Sequence, residues 1–254
     1  MAFYDLDKLE RIQLVNKIGQ SILKDVQTGK SNHILQYFSD EDTYIRKAGY
    51  QAIGKIYLAN KPLRHEILQL LNKLFEHPNE KIRQTAINSA GEIGMTDFKP
   101  IEHLMEQGLF DTHHSVRNAV IGSIKKMGEK NPVPVLTFAR RFLHHQDKEI
   151  RREICHGIEL RGRKYPQDVL PLLKELQGDK TARVRNTLVH VLGQIAYKKG
   201  CLEIVVAELK TWHNKELVAD AIEEIIDVHD RYKDFAVKTQ EQAIAYIENH
   251  FPRL

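Results

Sequence analysis

An arginine preceded by Ile or Val returns five times along the chain, at Ile45-Arg46, Ile82-Arg83, Val116-Arg117, Ile150-Arg151 and Val184-Arg185. Successive arginines lie 37, 34, 34 and 34 residues apart. A fixed period of this size is that of stacked two-helix units, none of which can bury its apolar side alone. The core must then be a strip shared between neighbouring units, with atypical segments covering the ends. The 254 residues are therefore expected to form one domain, with a capping helix in 1–30, repeats over 31–228 and a capping helix in 229–254.

The second half of each repeat has a clear inner side. Counted from the arginine, positions −1, +3, +4, +7 and +10 are mostly apolar: Ile82, Ala86, Ile87, Ala90 and Ile93 in the second repeat, and Val184, Leu188, Val189, Leu192 and Ile195 in the fifth. That spacing is the period of a half-buried helix. These B helices are expected to begin near Thr43, Glu80, Ser115, Lys148, Ala182 and Lys215. The last belongs to a degenerate sixth copy, with Leu217, Ala221, Ile222 and Ile225 inside and Val218 in place of the arginine. The A helices are read as 63–77, 101–109, 133–144, 168–177 and 202–212, after a long helix over 6–28 and a short one over 32–39. Pro62, Pro100, Pro132, Pro134 and Pro166 stand where helices should start, and a first turn tolerates the missing N–H. Gly29 suits a helix C-terminus, and a final helix is expected over 239–250.

These residues carry a resemblance. An Asp six residues before the Arg (Asp40/Arg46, Asp111/Arg117, Asp179/Arg185), a Val or Ile just before it, and Ile53-Gly54, Ala90-Gly91 and Leu192-Gly193 further on resemble HEAT repeats. The resemblance implies an all-α, right-handed alpha-alpha superhelix, a HEAT-repeat solenoid of about six two-helix repeats with terminal caps. It also implies that Arg46, Arg83, Arg117, Arg151 and Arg185 form an internal ladder of Asp–Arg contacts, a structural role. His77 and His145 replace the Asp in the second and fourth repeats, where the ladder is expected to be interrupted.

Several HEAT-like families are enzymes, but their chemistry is not matched. The di-iron site of deoxyhypusine hydroxylase-like proteins needs repeated His-Glu pairs, and only His65-Glu66 is present on a predicted A helix. The alkylpurine DNA glycosylases, to which the chain bears a distant resemblance, place tryptophans and an Asp around a cationic base. The only tryptophan here is Trp212. No phosphate loop or nucleophile elbow occurs. Of thirteen histidines, His77, His113, His114, His144, His145 and His213 fall near A–B turns, but none forms an i, i+4 pair with a carboxylate motif. No catalytic residue, no metal and no cofactor is therefore expected, and the chain reads as a non-enzyme.

Two surfaces remain for a partner. The resemblance places the B helices along the concave side, where positions +1, +5 and +9 would form a groove floor. The candidate partner-binding residues are Lys47, Gln51, Asn88, Asn118, Lys126, Arg152, His156, Asn186, His190 and Gln194. The loops after the B helices carry basic clusters that should form an anion-binding rim: Lys125 and Lys130, then Arg161, Arg163 and Lys164, then Lys198 and Lys199. Residues 111–200 hold 18 Lys and Arg against 9 Asp and Glu, whereas 201–254 hold 6 against 11. Positive charge thus collects in the third to fifth repeats, which suits an acidic partner.

The sequence thus points to a scaffold or adaptor that binds a macromolecule, with a protein the first expectation. The alternative is a nucleic-acid-binding protein that contacts phosphates in the basic groove. No run of about 18 apolar residues is present, so no membrane span is expected. Two cysteines in different repeats, and no secretory signal, point to a cytoplasmic protein, expected to be a monomer.

Overall fold

The computed structural model describes residues 3–251, and among these every regular element is helical. Two compact units divide at Asn131/Pro132. In the first, a 3-10 turn at Phe3–Asp5 precedes α1 (Lys8–Thr28), α2 (Asn32–Phe38), α3 (Thr43–Ala59), α4 (Arg64–Phe75), α5 (Glu80–Gly94), α6 (Glu102–Leu109) and α7 (His114–Lys130). The B helices α3, α5 and α7 lie side by side, α1 covers α2 and α3, and α4 and α6 pack behind α5 and α7. The second unit holds α8 (Pro132–Phe142), α9 (Lys148–Gly157), α10 (Glu159–Gly162), α11 (Pro166–Glu175), α12 (Ala182–Ala196), α13 (Leu202–Leu209), α14 (Lys215–Arg231) and α15 (Gln240–Glu248). Here α12 lies between α9–α10 and α14, α13 packs on α11 and α12, and α15 covers α14.

Local chemistry fixes where the helices begin. Asp42, Asn79, His113, Asp147 and Asn214 precede α3, α5, α7, α9 and α14, and each side chain accepts a backbone N–H of the first turn. α1 and α15 carry capping boxes, Asp7 with Glu10 and Thr239 with Gln242. Gly29 ends α1 at φ 67°, a left-handed conformation that a side chain would strain.

The B-helix starts agree with the apolar spacing to within one residue. The A helices differ more. Pro62 and Pro100 sit in separate 3-10 turns, Lys61–Leu63 and Lys99–Ile101, ahead of α4 and α6. The fourth B helix is interrupted at Ile158, so that α9 and α10 replace one continuous helix.

The core follows the repeat. Ile82, Val116, Ile150 and Val184, each just before a ladder arginine, are buried, as are Ala86, Ile87, Ala90 and Ile93 of α5. Burying each large side chain contributes roughly 1.5–3 kcal/mol. Neighbouring B helices approach closely. A Cβ on Gly91 of α5 would stand 2.7 Å from Ser123 Cβ of α7, so only glycine fits there.

Candidate partner-binding face

The ladder arginines turn inward and act in two directions. Four of them, Arg46, Arg83, Arg117 and Arg151, first close their own A–B turns. Arg83 NH1 donates to the carbonyls of His77 and Pro78, both at 2.9 Å, and Arg151 NH1 to those of His145 and Gln146 at 2.8 and 3.0 Å. Arg46 and Arg117 grip the corresponding carbonyls of Asp40 and Glu41, and of Asp111 and Thr112. In Arg83 and Arg151 the rest of the guanidinium then reaches the next repeat. Arg83 donates to both oxygens of Asp111 at 2.8 and 3.1 Å, and Arg151 to both oxygens of Asp179 at 2.6 and 3.2 Å. Arg185 faces Glu216 and Asp220 at the surface, at 3.3 and 3.6 Å.

A repeat that bears His in place of Asp therefore still forms a complete outgoing rung. The histidines supply the local half of the missing Asp. Nδ1 of His77 accepts the N–H of Asn79 at 3.0 Å and Nδ1 of His145 that of Asp147 at 3.1 Å, as Oδ1 of Asp111 and Asp179 accept those of His113 and Thr181. Burial pushes the Asp111 and Asp179 carboxyls up, but the arginine and backbone hydrogen bonds outweigh it and hold both below the usual carboxylate range.

His113, His114 and His144 also have partners. His113 pairs with Ser115 and stacks on His114, and His144 Nε2 lies 2.9 Å from Glu175.

The proposed groove residues do not form one uniform row. Lys47, Asn118 and Asn186 are exposed, and Gln51, Asn88, Lys126, Arg152, His156 and His190 are half-buried. Lys126 pairs with Glu92 at 3.2 Å. Gln194 departs from the expectation: it is buried and its Oε1 accepts from Arg163 NH2 at 2.5 Å. Four residues advance a helix by about 400°, so each step of four drifts by about 40° and carries position +9 toward the core.

The rim is also reduced. Arg161 is held by Asp168 at 2.6 Å and lies 3.8 Å above the Tyr165 ring, with little of its side chain in solvent. Arg163 turns away from the loop, to Glu159 Oε1 at 2.5 Å and to Gln194. Neither guanidinium projects as an anion contact. Of the remaining residues Lys130, Lys164 and Lys199 are exposed, Lys125 is half-buried, and Lys198 lies 4.2 Å from the Tyr197 ring.

In the second unit, Arg152, His156, Arg183, Asn186, Thr187 and His190 line one cleft of about 320 Å³. Its arginines are paired: Arg152 with Glu149 at 2.9 Å and with Glu153, and Arg183 with Glu149 at 3.0 Å. His156 and His190, one repeat apart, meet edge to face with ring centroids 6.1 Å apart. The interruption at Ile158 places Glu159 beneath them, 3.1 Å from His156 Nε2. One ligand atom from each of His156, Glu159 and His190 lies within 4.8 Å of the other two. Reading for pairs along a single helix misses this group, because its members come from α9, α10 and α12.

Residues 31–120 match the family model described as HEAT repeats. Over that segment the resemblance carried by the Asp-to-Arg spacing holds, and among the described residues every regular element of both units is helical. No curated protein matches this sequence. Among solved structures, YibA of E. coli aligns at 18% identity and TM-score 0.46, over 98% of this chain and 89% of that one. Yeast importin-β, Kap95p, aligns at 14% identity and TM-score 0.47, over 96% of this chain and 36% of that one. The alkylpurine DNA glycosylase AlkC of Pseudomonas fluorescens, bound to DNA containing an abasic-site analogue, aligns at 12% identity and TM-score 0.47, over 89% of this chain and 64% of that one. These likenesses concern the fold alone.

Proposed function

We propose that the chain is a non-catalytic HEAT-repeat scaffold that binds a protein partner along the outward faces of its B helices. The observation that carries this reading is the cleft lined by Arg152, His156, Arg183, Asn186, Thr187 and His190. It presents hydrogen-bonding groups, yet its arginines already hold Glu149 and Glu153. A surface of this kind suits a polar peptide or protein segment. Affinity for a phosphate backbone rests instead on unpaired cations that release counterions. In this reading α1 and α15 are the end caps of a monomeric solenoid. Cys155 and Cys201 are free and buried, which suits a reducing, cytoplasmic setting. No helix among the described residues is long and apolar enough to cross a membrane.

A second reading, nucleic-acid binding through phosphates, is favoured by the exposed Lys148, Lys180 and Lys199 and by the excess of 18 basic over 9 acidic residues in 111–200. Affinity capture from nuclease-treated extract separates the two. The wild type should retain a protein that Asn186→Arg loses, because the exposed Asn186 lies in the cleft. An identical set of captured proteins for both overturns the first reading. Binding to DNA or RNA at about 50 mM salt that fades by about 200 mM and falls in Lys148→Ala, Lys180→Ala and Lys199→Ala would establish the second.

A further inference from the structure

We infer that His156, Glu159 and His190 form a binding site for a divalent transition-metal ion, of the zinc, iron or cobalt class, on the cleft face of the second unit. The donor set is two imidazoles and one carboxylate, the combination that first-row transition ions take in preference to magnesium or calcium. Zinc bonds of about 2.0–2.1 Å place tetrahedral ligand atoms roughly 3.4 Å apart. His156 Nε2 and Glu159 Oε2 already stand 3.1 Å apart, and all three donors fit within 4.8 Å. A small rotation of half-exposed His190 closes the set.

The surroundings orient each ligand. Glu159 is buried, and its second oxygen, Oε1, is held by Arg163 at 2.5 Å, which leaves Oε2 directed at His156. Arg163 is fixed in turn by Gln194. His190 Nδ1 faces Glu224 Oε1 at 3.6 Å, so the small rotation that closes the set would let Glu224 accept the Nδ1 proton and leave Nε2 as the donor. A carboxylate behind a ligating imidazole sets its tautomer and raises its basicity.

The local charge also favours a cation. Arg152, Arg163, Arg183 and Arg231 stand against Glu149, Glu153, Glu159, Glu224 and Asp227, so acids exceed arginines by one. His156 and His190 remain half-exposed, so three protein ligands would leave a coordination position open to water or to a partner's side chain.

The test is titration of the untagged full chain with zinc by calorimetry, and with cobalt(II) by its visible ligand-field absorption. Saturable binding of one ion per chain is expected, with a four-coordinate cobalt spectrum. His190→Asn should weaken binding by about 100-fold, and Glu224→Gln, which removes the charge behind the ligating imidazole, by about 10-fold. His190 is half-exposed, so its replacement leaves the fold intact, and a circular dichroism melt checks this. Absence of saturable binding, equal affinity in the wild type and the His156→Asn/His190→Asn double variant, or equally tight binding of magnesium would each overturn the assignment.

Discussion

Asp179→Asn isolates one rung of the ladder with little change in shape. The wild-type carboxylate accepts from Arg151 at 2.6 and 3.2 Å and from the N–H of Thr181 at 2.8 Å, with only 7% of the Asp side chain and 16% of the Arg side chain exposed. The amide can keep the Thr181 bond and one bond to Arg151, but it loses the charge and the second charge-assisted bond. A hydrogen bond to a charged group contributes about 1.5–3 kcal/mol, and breaking a buried pair costs about 3–5 kcal/mol when the partner is left uncompensated. Arg151 keeps its carbonyl partners at His145 and Gln146, which places the loss at the low end, about 3 kcal/mol. The assay is urea unfolding followed by Trp212 fluorescence. This buried residue is the only tryptophan and lies in the same unit as the rung. With a slope of about 2 kcal/mol per molar urea, the midpoint should fall by roughly 1.5 M. The pH dependence has a definite sign. The folded-state pKa of Asp179 lies below the ordinary carboxylate value of 3.8, so its contribution is present above that value and is lost as pH falls through the folded one. The gap between wild type and Asp179→Asn should therefore close in acid. A loss below about 0.5 kcal/mol at neutral pH, within the range of an ordinary surface substitution, would refute the reasoning.

Three further outcomes follow from other contacts. Gly91→Ala drives a Cβ to 2.3 Å from Ser123 Oγ and should destabilise the first unit by about 1–3 kcal/mol, read from a circular dichroism melt. His229 is buried and its Nδ1 donates to the Ile225 carbonyl at 2.7 Å; burial holds its pKa below the ordinary histidine value of 6.5. The unfolded chain therefore takes up the proton first, stability should fall as pH drops below about 6.5, and His229→Gln should flatten that slope in urea titrations followed by Trp212. Arg161→Ala should lower the melting temperature of the second unit through loss of its Asp168 and Tyr165 contacts, and should leave gel-shift affinity for DNA unchanged.

The repeat itself was legible because apolar residues recur at helical spacing in each B helix, and in all but α12 a capping side chain stands just before the first turn. Ile82 with Asn79 and Ile150 with Asp147 show both. The A-helix starts were less legible, since proline is equally at home in the 3-10 turns that Pro62 and Pro100 occupy. The interruption at Ile158 has no proline to announce it.

Arg161 and Arg163 leave the rim for a different reason. A count of basic residues does not reveal that Arg161 meets Asp168 seven residues on, or that Arg163 reaches Gln194 thirty-one residues on. The histidine pair could have been found. His156 and His190 both stand five residues after a ladder arginine, so the repeat already placed them as neighbours on adjacent B helices, while a search for pairs within one helix passed over them.

The alternation of Asp and His along the ladder has a mechanical consequence. In each unit one bidentate rung clamps two successive repeats, Arg83 to Asp111 in the first and Arg151 to Asp179 in the second. Under tension applied through its ends, a unit of this kind should not fray one repeat at a time. The clamped couple should yield as a single event that releases about 68 residues, roughly 230 Å of extended chain. Flanking helices held by exposed pairs such as Lys81–Glu41 should peel away earlier and at lower force. Each bidentate rung thus makes its couple, rather than the single repeat, an elastic element of its own unit.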